Sequence, residues 1–126
     1  MSLIECNKVM VQSTETKGLG AFASINIKKG DLVEKGVMKR IDIDGNVNPY
    51  LFTWSEDRSI WSYASGCATF YNTSRDPNTK MIRNYDNDTF EIYANKDIEK
   101  GEELTHTYKS LEWRDAFEDL RKIKNL

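Results

Sequence analysis

The chain has 126 residues, enough for one domain, and a domain of that size buries roughly two-thirds of the surface its unfolded chain exposes. Its 18 basic and 20 acidic residues leave a formal charge of -2, with the basic residues spread evenly, which excludes a nucleic-acid-binding stripe. No apolar run is long enough for a membrane span or a secretory leader, and a hydrophobic content of 39% excludes a disordered chain.

The cysteines, Cys6 and Cys67, make no Cys-x-x-Cys or Cys/His pattern. They read as two ordinary thiols of a reducing compartment, with no ligand set for zinc or another metal.

In chain order, Val9–Ser13 (VMVQS) reads as an opening strand. Gly18-Leu19-Gly20 leads into a second strand over 21–27, and Gly30-Asp31 marks a turn. Leu32-Val33 and residues 37–43 read as further strands, since β-branched side chains fit a half-buried pleated surface. Asp44-Gly45 is a hairpin signal, and Pro49 closes the region. Residues 50–70 mix aromatic, Ser and Gly residues and read as a short helix or irregular structure. Residues 81–85 and 90–94 pattern as hairpin arms around Asp86-Asn87-Asp88, with Phe90, Ile92 and Ala94 on one face. Trp113, Ala116, Phe117, Leu120 and Ile123 fall at helical spacing. They predict a helix over about 110–124 that docks on the sheet, with Ser110 as N-cap and Glu118–Lys122 as an i,i+4 ion pair.

One pattern occurs twice. Ile27-Lys28-Lys29-Gly30-Asp31-Leu32 is echoed by Ile98-Glu99-Lys100-Gly101-Glu102-Glu103-Leu104. The copies are too short and too far apart for a solenoid, and imply two similar strand-turn-strand corners within one β-rich domain.

Four blocks carry chemistry. The first is Lys17-Gly18-Leu19-Gly20-Ala21-Phe22, continued by Ile27-x-x-Gly30-Asp31-Leu32-Val33. The second is Tyr50-Leu51-Phe52. The third is Asn72-Thr73-Ser74-Arg75-Asp76-Pro77-Asn78. The fourth is Ile98-x-x-Gly101-Glu102-Glu103-Leu104-Thr105-x-x-Tyr108, followed by Trp113. Through these blocks, in this order over about residues 14–113, the chain resembles the SET family of protein lysine methyltransferases. It is most similar in type to the compact virus-encoded SET proteins, because it lacks the cysteine-rich zinc segments that flank many members.

The resemblance implies a mostly β fold with short helices: a single β-clip-like SET domain over 1–126, built of several small sheets and a C-terminal helix. It implies transfer of a methyl group from S-adenosyl-L-methionine to a protein lysine, with a histone tail as the leading acceptor by analogy. Lys17, Gly18, Leu19 and Gly20 would border the methionine end of the cofactor, since paired glycines let backbone approach a ligand closely. Tyr50, Asn72, Thr73 and Trp113 would complete the cofactor site. Asn72 offers a donor and an acceptor. Thr73 stands where the family usually has His, and would act there through its backbone.

Tyr108 would be the catalytic residue, orienting amine and methyl. Whether it is also a base stays open at this stage. A free lysine has only about one neutral amine in 2,500 at pH 7, so the acceptor must be desolvated and aligned. Phe52 and His106 would line its channel; if the segment is extended, His106 and Tyr108 share a face. The expected partner is a lysine-bearing protein, without nucleic acid or membrane and with a homodimer left open, in the cytoplasm or nucleus of a cell or virus host. Two other readings stand beside this one. One is a SET-like binding module without turnover, with Thr73 marking lost activity. The other is an unrelated β domain that shares only the two corners.

Overall fold

The computed structural model describes residues 2–109, 111 and 113–123. Among the described residues, nine strands form two sheets. The four-stranded sheet has the order β1-β2-β9-β6, from Val9–Ser13, Leu19–Ala23, Glu103–His106 and Asn72–Thr73. The five-stranded sheet has the order β4-β5-β3-β8-β7, from Phe52–Thr53, Trp61–Ala64, Leu32–Ile41, Thr89–Ala94 and Thr79–Asn84. The expected mostly β class is the one observed. Among the described residues no helix is long and apolar enough to cross a membrane.

The opening strand and the hairpin of β7 and β8 form where the pattern puts them. Phe90, Ile92 and Ala94 face the core together and are buried. Elsewhere the elements differ in extent. The second strand stops at Ala23. The two strands expected from 32–33 and 37–43 are one ten-residue strand, β3, with a bulge between Leu32 and Glu34. β3 is central, bonded to β5 on one side and β8 on the other, so its polar interior residues were no sign of a break.

Asp44-Gly45 is not a hairpin turn. The chain leaves β3 in a wide loop and reaches β4, which pairs with β5. The Asp44 carboxylate accepts the Asn46 amide at 3.0 Å, and a Cβ on Gly45 would lie 2.3 Å from the Trp61 ring. Tertiary packing, not local turn chemistry, fixes this glycine.

The C-terminal helix is far shorter than its periodicity predicts. A 3-10 turn at Asp115–Phe117 runs into one α-helical turn, α1, at Glu118–Arg121. Arg114 just before it is extended, with φ -76° and ψ 136°, and buried. Its guanidinium donates to the carbonyls of Leu51 and Gly45 at 2.8 Å each, and to that of Asn48. Arg114 thus pins the 45–51 loop, and a helical Arg114 would lose those bonds. Ser110, the expected cap, lies outside the described residues. Glu118 and Lys122 do pair at 3.8 Å, but both are exposed, and such pairs contribute well under about 1 kcal/mol.

The repeated corners meet. Ile27 and Ile98 pair in an antiparallel bridge, the amide of Ile27 on the Ile98 carbonyl at 2.8 Å and the reverse bond at 2.7 Å. Their surroundings match: Gly30 N–H donates to Ala94 C=O and Gly101 N–H to Ala23 C=O. The Lys29 amide donates to Asp97 Oδ1 and the Lys100 amide to Asn26 Oδ1. A local two-fold clip joins the two sheets around Ala23, Ala94, Ile27 and Ile98, all core residues.

Gly30 and Gly101 sit at φ +91° and +90° with open space where a Cβ would go. Gly30→Ala and Gly101→Ala should therefore each lose about 1–2 kcal/mol through backbone strain alone. The two losses should agree closely, as urea unfolding of each variant would measure.

Candidate functional site

The site is built on the join between β6 and β9. These strands run parallel for two pairs, Asn72 with Thr105 and Thr73 with His106. Asn78 splints β9 from the side. Its Oδ1 accepts the Thr105 amide at 2.9 Å, and its Nδ2 donates to the Glu103 carbonyl at 2.8 Å. Alternation along β6 then sends Asn72 and Thr73 to different work.

Asn72 faces the glycine segment. Its Nδ2 donates to the Leu19 carbonyl at 3.2 Å and to Glu103 Oε2 at 2.8 Å. Lys17 Nζ reaches the other oxygen of the same carboxylate at 2.7 Å. A Cβ on Gly20 would lie 2.8 Å from Thr14, 2.9 Å from Glu103 and 3.0 Å from Asn72, so only glycine lets these groups close together. Gly18 holds the loop at φ +74°. Leu19 is half exposed beside it. Lys17, Gly18, Leu19, Gly20 and Asn72 thus converge as expected, and Glu103 is the carboxylate that ties them. It was missed as a site residue because its partners lie far away in sequence, Lys17 by 86 positions and Asn72 by 31.

Thr73 is buried, and its Oγ1 accepts the Tyr108 amide at 3.1 Å. Its side chain, expected to be a bystander, holds the backbone of Tyr108. The Tyr108 hydroxyl donates to the Tyr71 carbonyl at 2.9 Å. Its ring packs at 4.7 Å on Phe117 and edge-on at 5.0 Å to His106. Burial, and then the charge of Glu103, push the phenol up to about 12.

Phe52, His106 and Tyr108 line one narrow cleft together with Arg83, Arg114 and Phe117. The two channel residues expected from the sequence, Phe52 and His106, are therefore brought together with Tyr108. His106 is 3% exposed and its Nε2 has no protein partner among the described residues. Burial first, and the charge of Arg83 second, depress it to about 3. The cleft thus has an aromatic wall, a neutral imidazole and the guanidinium groups of Arg83 and Arg114.

Tyr50 and Trp113 are not part of either cluster. Tyr50 is 62% exposed on the loop that Arg114 pins, its amide on Asn48 Oδ1. Trp113 packs against Trp61 at 6.2 Å between ring centres, under the guanidinium of Arg58 at 4.6 Å. Arg114 and Arg83, by contrast, line the cleft without any motif to announce them.

The SET domain family model matches residues 18–109. The chain belongs to the SET domain family. No curated protein sequence matches it. Among solved structures it is similar to a candidate histone methyltransferase of Plasmodium falciparum, at 26% identity over 80% of this chain and 92% of that one, with a TM-score of 0.64. It is also similar to an active polycomb repressive complex 2 in its basal state, at 27% identity over 82% of this chain, with a TM-score of 0.68. A humanized mutant of the Chaetomium thermophilum complex bound to the inhibitor GSK126 is 26% identical over 84% of this chain, with a TM-score of 0.69. In both polycomb cases the chain spans only 15% of the matched chain.

His106 carries a pH dependence whose sign is fixed. Its folded value lies below the unfolded 6.5, so the folded state binds fewer protons. The associated stability is complete above about pH 6.5 and is lost as pH falls toward 3, at up to about 1.4 kcal/mol per pH unit. His106→Phe should flatten this acid limb in thermal melts across pH 3–7, and ring NMR should find wild-type His106 neutral at about pH 5.

Proposed function

We propose that the chain is a methyltransferase that uses S-adenosyl-L-methionine to methylate a lysine side chain of a protein, with a histone tail as the first acceptor to test. One observation carries the reading: the β6–β9 join presents a glycine-lined polar pocket edge through Asn72 and an aromatic cleft through Thr73 and Tyr108. A bisubstrate transfer needs two such places side by side.

The first cluster fits the cofactor's chemistry. S-adenosyl-L-methionine supplies a methyl group activated on a sulfonium. Its amino-acid end carries adjacent ammonium and carboxylate groups, which suit the Glu103 carboxylate, the Lys17 ammonium and the close backbone at Gly20. Asn72 Oδ1, which no protein donor reaches among the described residues, is left to accept from the ligand.

In the cleft, the Tyr108 hydroxyl donates a hydrogen bond to the Tyr71 carbonyl and stays a neutral phenol at physiological pH. It orients an incoming amine through its lone pairs. Desolvation among Phe52, His106 and Phe117, with the positive charge of Arg83 on the wall, favours the neutral amine over the ammonium. Alignment in such a channel can contribute several kcal/mol to the barrier reduction. His106 borders the cleft beside Tyr108 and would influence how many methyl groups fit.

A compact SET protein of the kind that viruses encode is part of the same proposal, and a homodimer is compatible with it. The same reading places the protein in the cytoplasm or nucleus of a cell or virus host. The module without turnover is less well supported, because Thr73 has a structural use in holding Tyr108.

The test is in three parts. The cofactor or its demethylated product should raise the melting temperature, and labelled methyl should appear on a lysine in a panel of histones and lysate proteins. Tyr108→Phe should keep cofactor affinity and lower the transfer rate by about 100-fold or more. Asn72→Ala should weaken cofactor binding, whereas Thr73→Ala should mainly slow transfer by freeing the Tyr108 backbone. No thermal shift and no calorimetric signal at millimolar cofactor would overturn the cofactor assignment. Undiminished transfer by Tyr108→Phe would overturn the catalytic one.

His106→Phe should remain active but shift the distribution of mono-, di- and trimethyl product, read by mass spectrometry of a methylated substrate. An unchanged distribution would return His106 to a packing role.

A further inference from the structure

The two cysteines were expected to be separate, ordinary thiols; the fold instead brings them together. Three segments meet behind Tyr71. The N-terminal segment is stitched to β3 by the Glu5–Lys35 bridge, with bonds of 2.9 and 3.0 Å, which brings Cys6 beside Glu34. Cys67 comes from the turn that leads into the 3-10 turn Ala68–Phe70. One donor atom each from Cys6, Glu34 and Cys67 lies within 4.8 Å of the other two.

We infer that Cys6, Glu34 and Cys67 form a binding site for one soft divalent cation, zinc first among them.

The surroundings fit such an ion. Glu34 is fully buried, yet the groups acting on its carboxylate are uncharged: the Cys67 amide on Oε2 at 2.7 Å and the Tyr71 hydroxyl on Oε1 at 2.9 Å. A buried carboxylate that is ionised is ordinarily paired with a cation or coordinates a metal. The two bonds also do what outer partners of a metal ligand do, fixing the carboxylate's orientation. Gly66, at φ +65°, lets the chain pass close: a Cβ there would lie 2.4 Å from Glu34 Oε2 and 3.5 Å from Cys6 Sγ.

Two thiolates and one carboxylate oxygen supply three of zinc's four usual ligands, and a water can take the fourth, since both cysteines are only half-buried. Thiolate donors select a soft ion over magnesium or calcium. Binding exchanges one divalent ion for the two thiol protons, forming two metal–sulfur bonds and releasing two protons to solvent. The site is connected to the cleft, because the residue whose hydroxyl holds Glu34 is the one whose carbonyl accepts the Tyr108 hydroxyl.

The test needs no enzymatic activity. The full chain is reduced, stripped with a chelator and titrated with cadmium and then with zinc. We expect an ultraviolet thiolate-to-cadmium charge-transfer band saturating at one ion per chain, and its loss when zinc displaces cadmium. Zinc should also raise the melting temperature of the wild type. Cys6→Ser should weaken binding by about 100-fold or more and abolish the thermal shift. It lies in the N-terminal segment, outside the nine strands, and is the deciding variant should Cys67→Ser or Glu34→Gln fail to fold. Failure of the band to appear would overturn the site, as would undiminished binding by Cys6→Ser. A protein that binds no ion and, once the reductant is removed and air admitted, loses two hydrogens in mass to dioxygen would overturn the site in favour of a disulfide pair.

Discussion

A parallel pairing only two residues long organises this molecule. Among the described residues, Asn72 with Thr105 and Thr73 with His106 are the register pairs that join β6 to its sheet. So short a ladder needs supplementary bonds. They come from Ser74 N–H on the His106 carbonyl at 2.9 Å, from Thr79 Oγ1 on the Thr105 carbonyl at 2.7 Å, and from the Asn78 side chain along β9. Because successive residues of a strand face opposite ways, this one join can hold a cofactor-facing amide and a hydroxyl supporting Tyr108 in adjacent positions.

Tyr71 forms a second node. It is fully buried, its hydroxyl on Glu34, its carbonyl on Tyr108 and its ring 5.7 Å from His106. Burial and then the charge of Glu34 push its own phenol far up, so it stays a donor under all ordinary conditions. One side chain thereby links Glu34 and its neighbours to the cleft. The arrangement depends on neutral, hydrogen-bonded phenols rather than on ion pairs.

The clip supplies the frame. Ile27 and Ile98 lie 71 positions apart and exchange both backbone bonds, and the same offset relates Gly30 to Gly101 and Ala23 to Ala94. Since β2 and β9 both enter the clip and also pair with each other, the glycine segment at the start of β2 is delivered to Glu103 at the start of β9.

Local pattern was enough for whatever depends on near neighbours. The hairpin of β7 and β8, the strand β1, the two glycine corners and the order of the four blocks are legible in the sequence, because alternation, turn glycines and motif spacing act over a few residues. The clustering of Phe52, His106 and Tyr108, and of Lys17 with Gly18, Gly20 and Asn72, followed from the family resemblance. Tertiary structure alone decided the rest. Periodicity favoured a long C-terminal helix, but three loop carbonyls captured Arg114 and left it extended. Asp-Gly favoured a hairpin, but Trp61 occupies the space beside Gly45. The Glu103 link to Lys17 and the meeting of Cys6, Glu34 and Cys67 join residues tens of positions apart. Such contacts come from chain closure, which carries no local signature in the sequence.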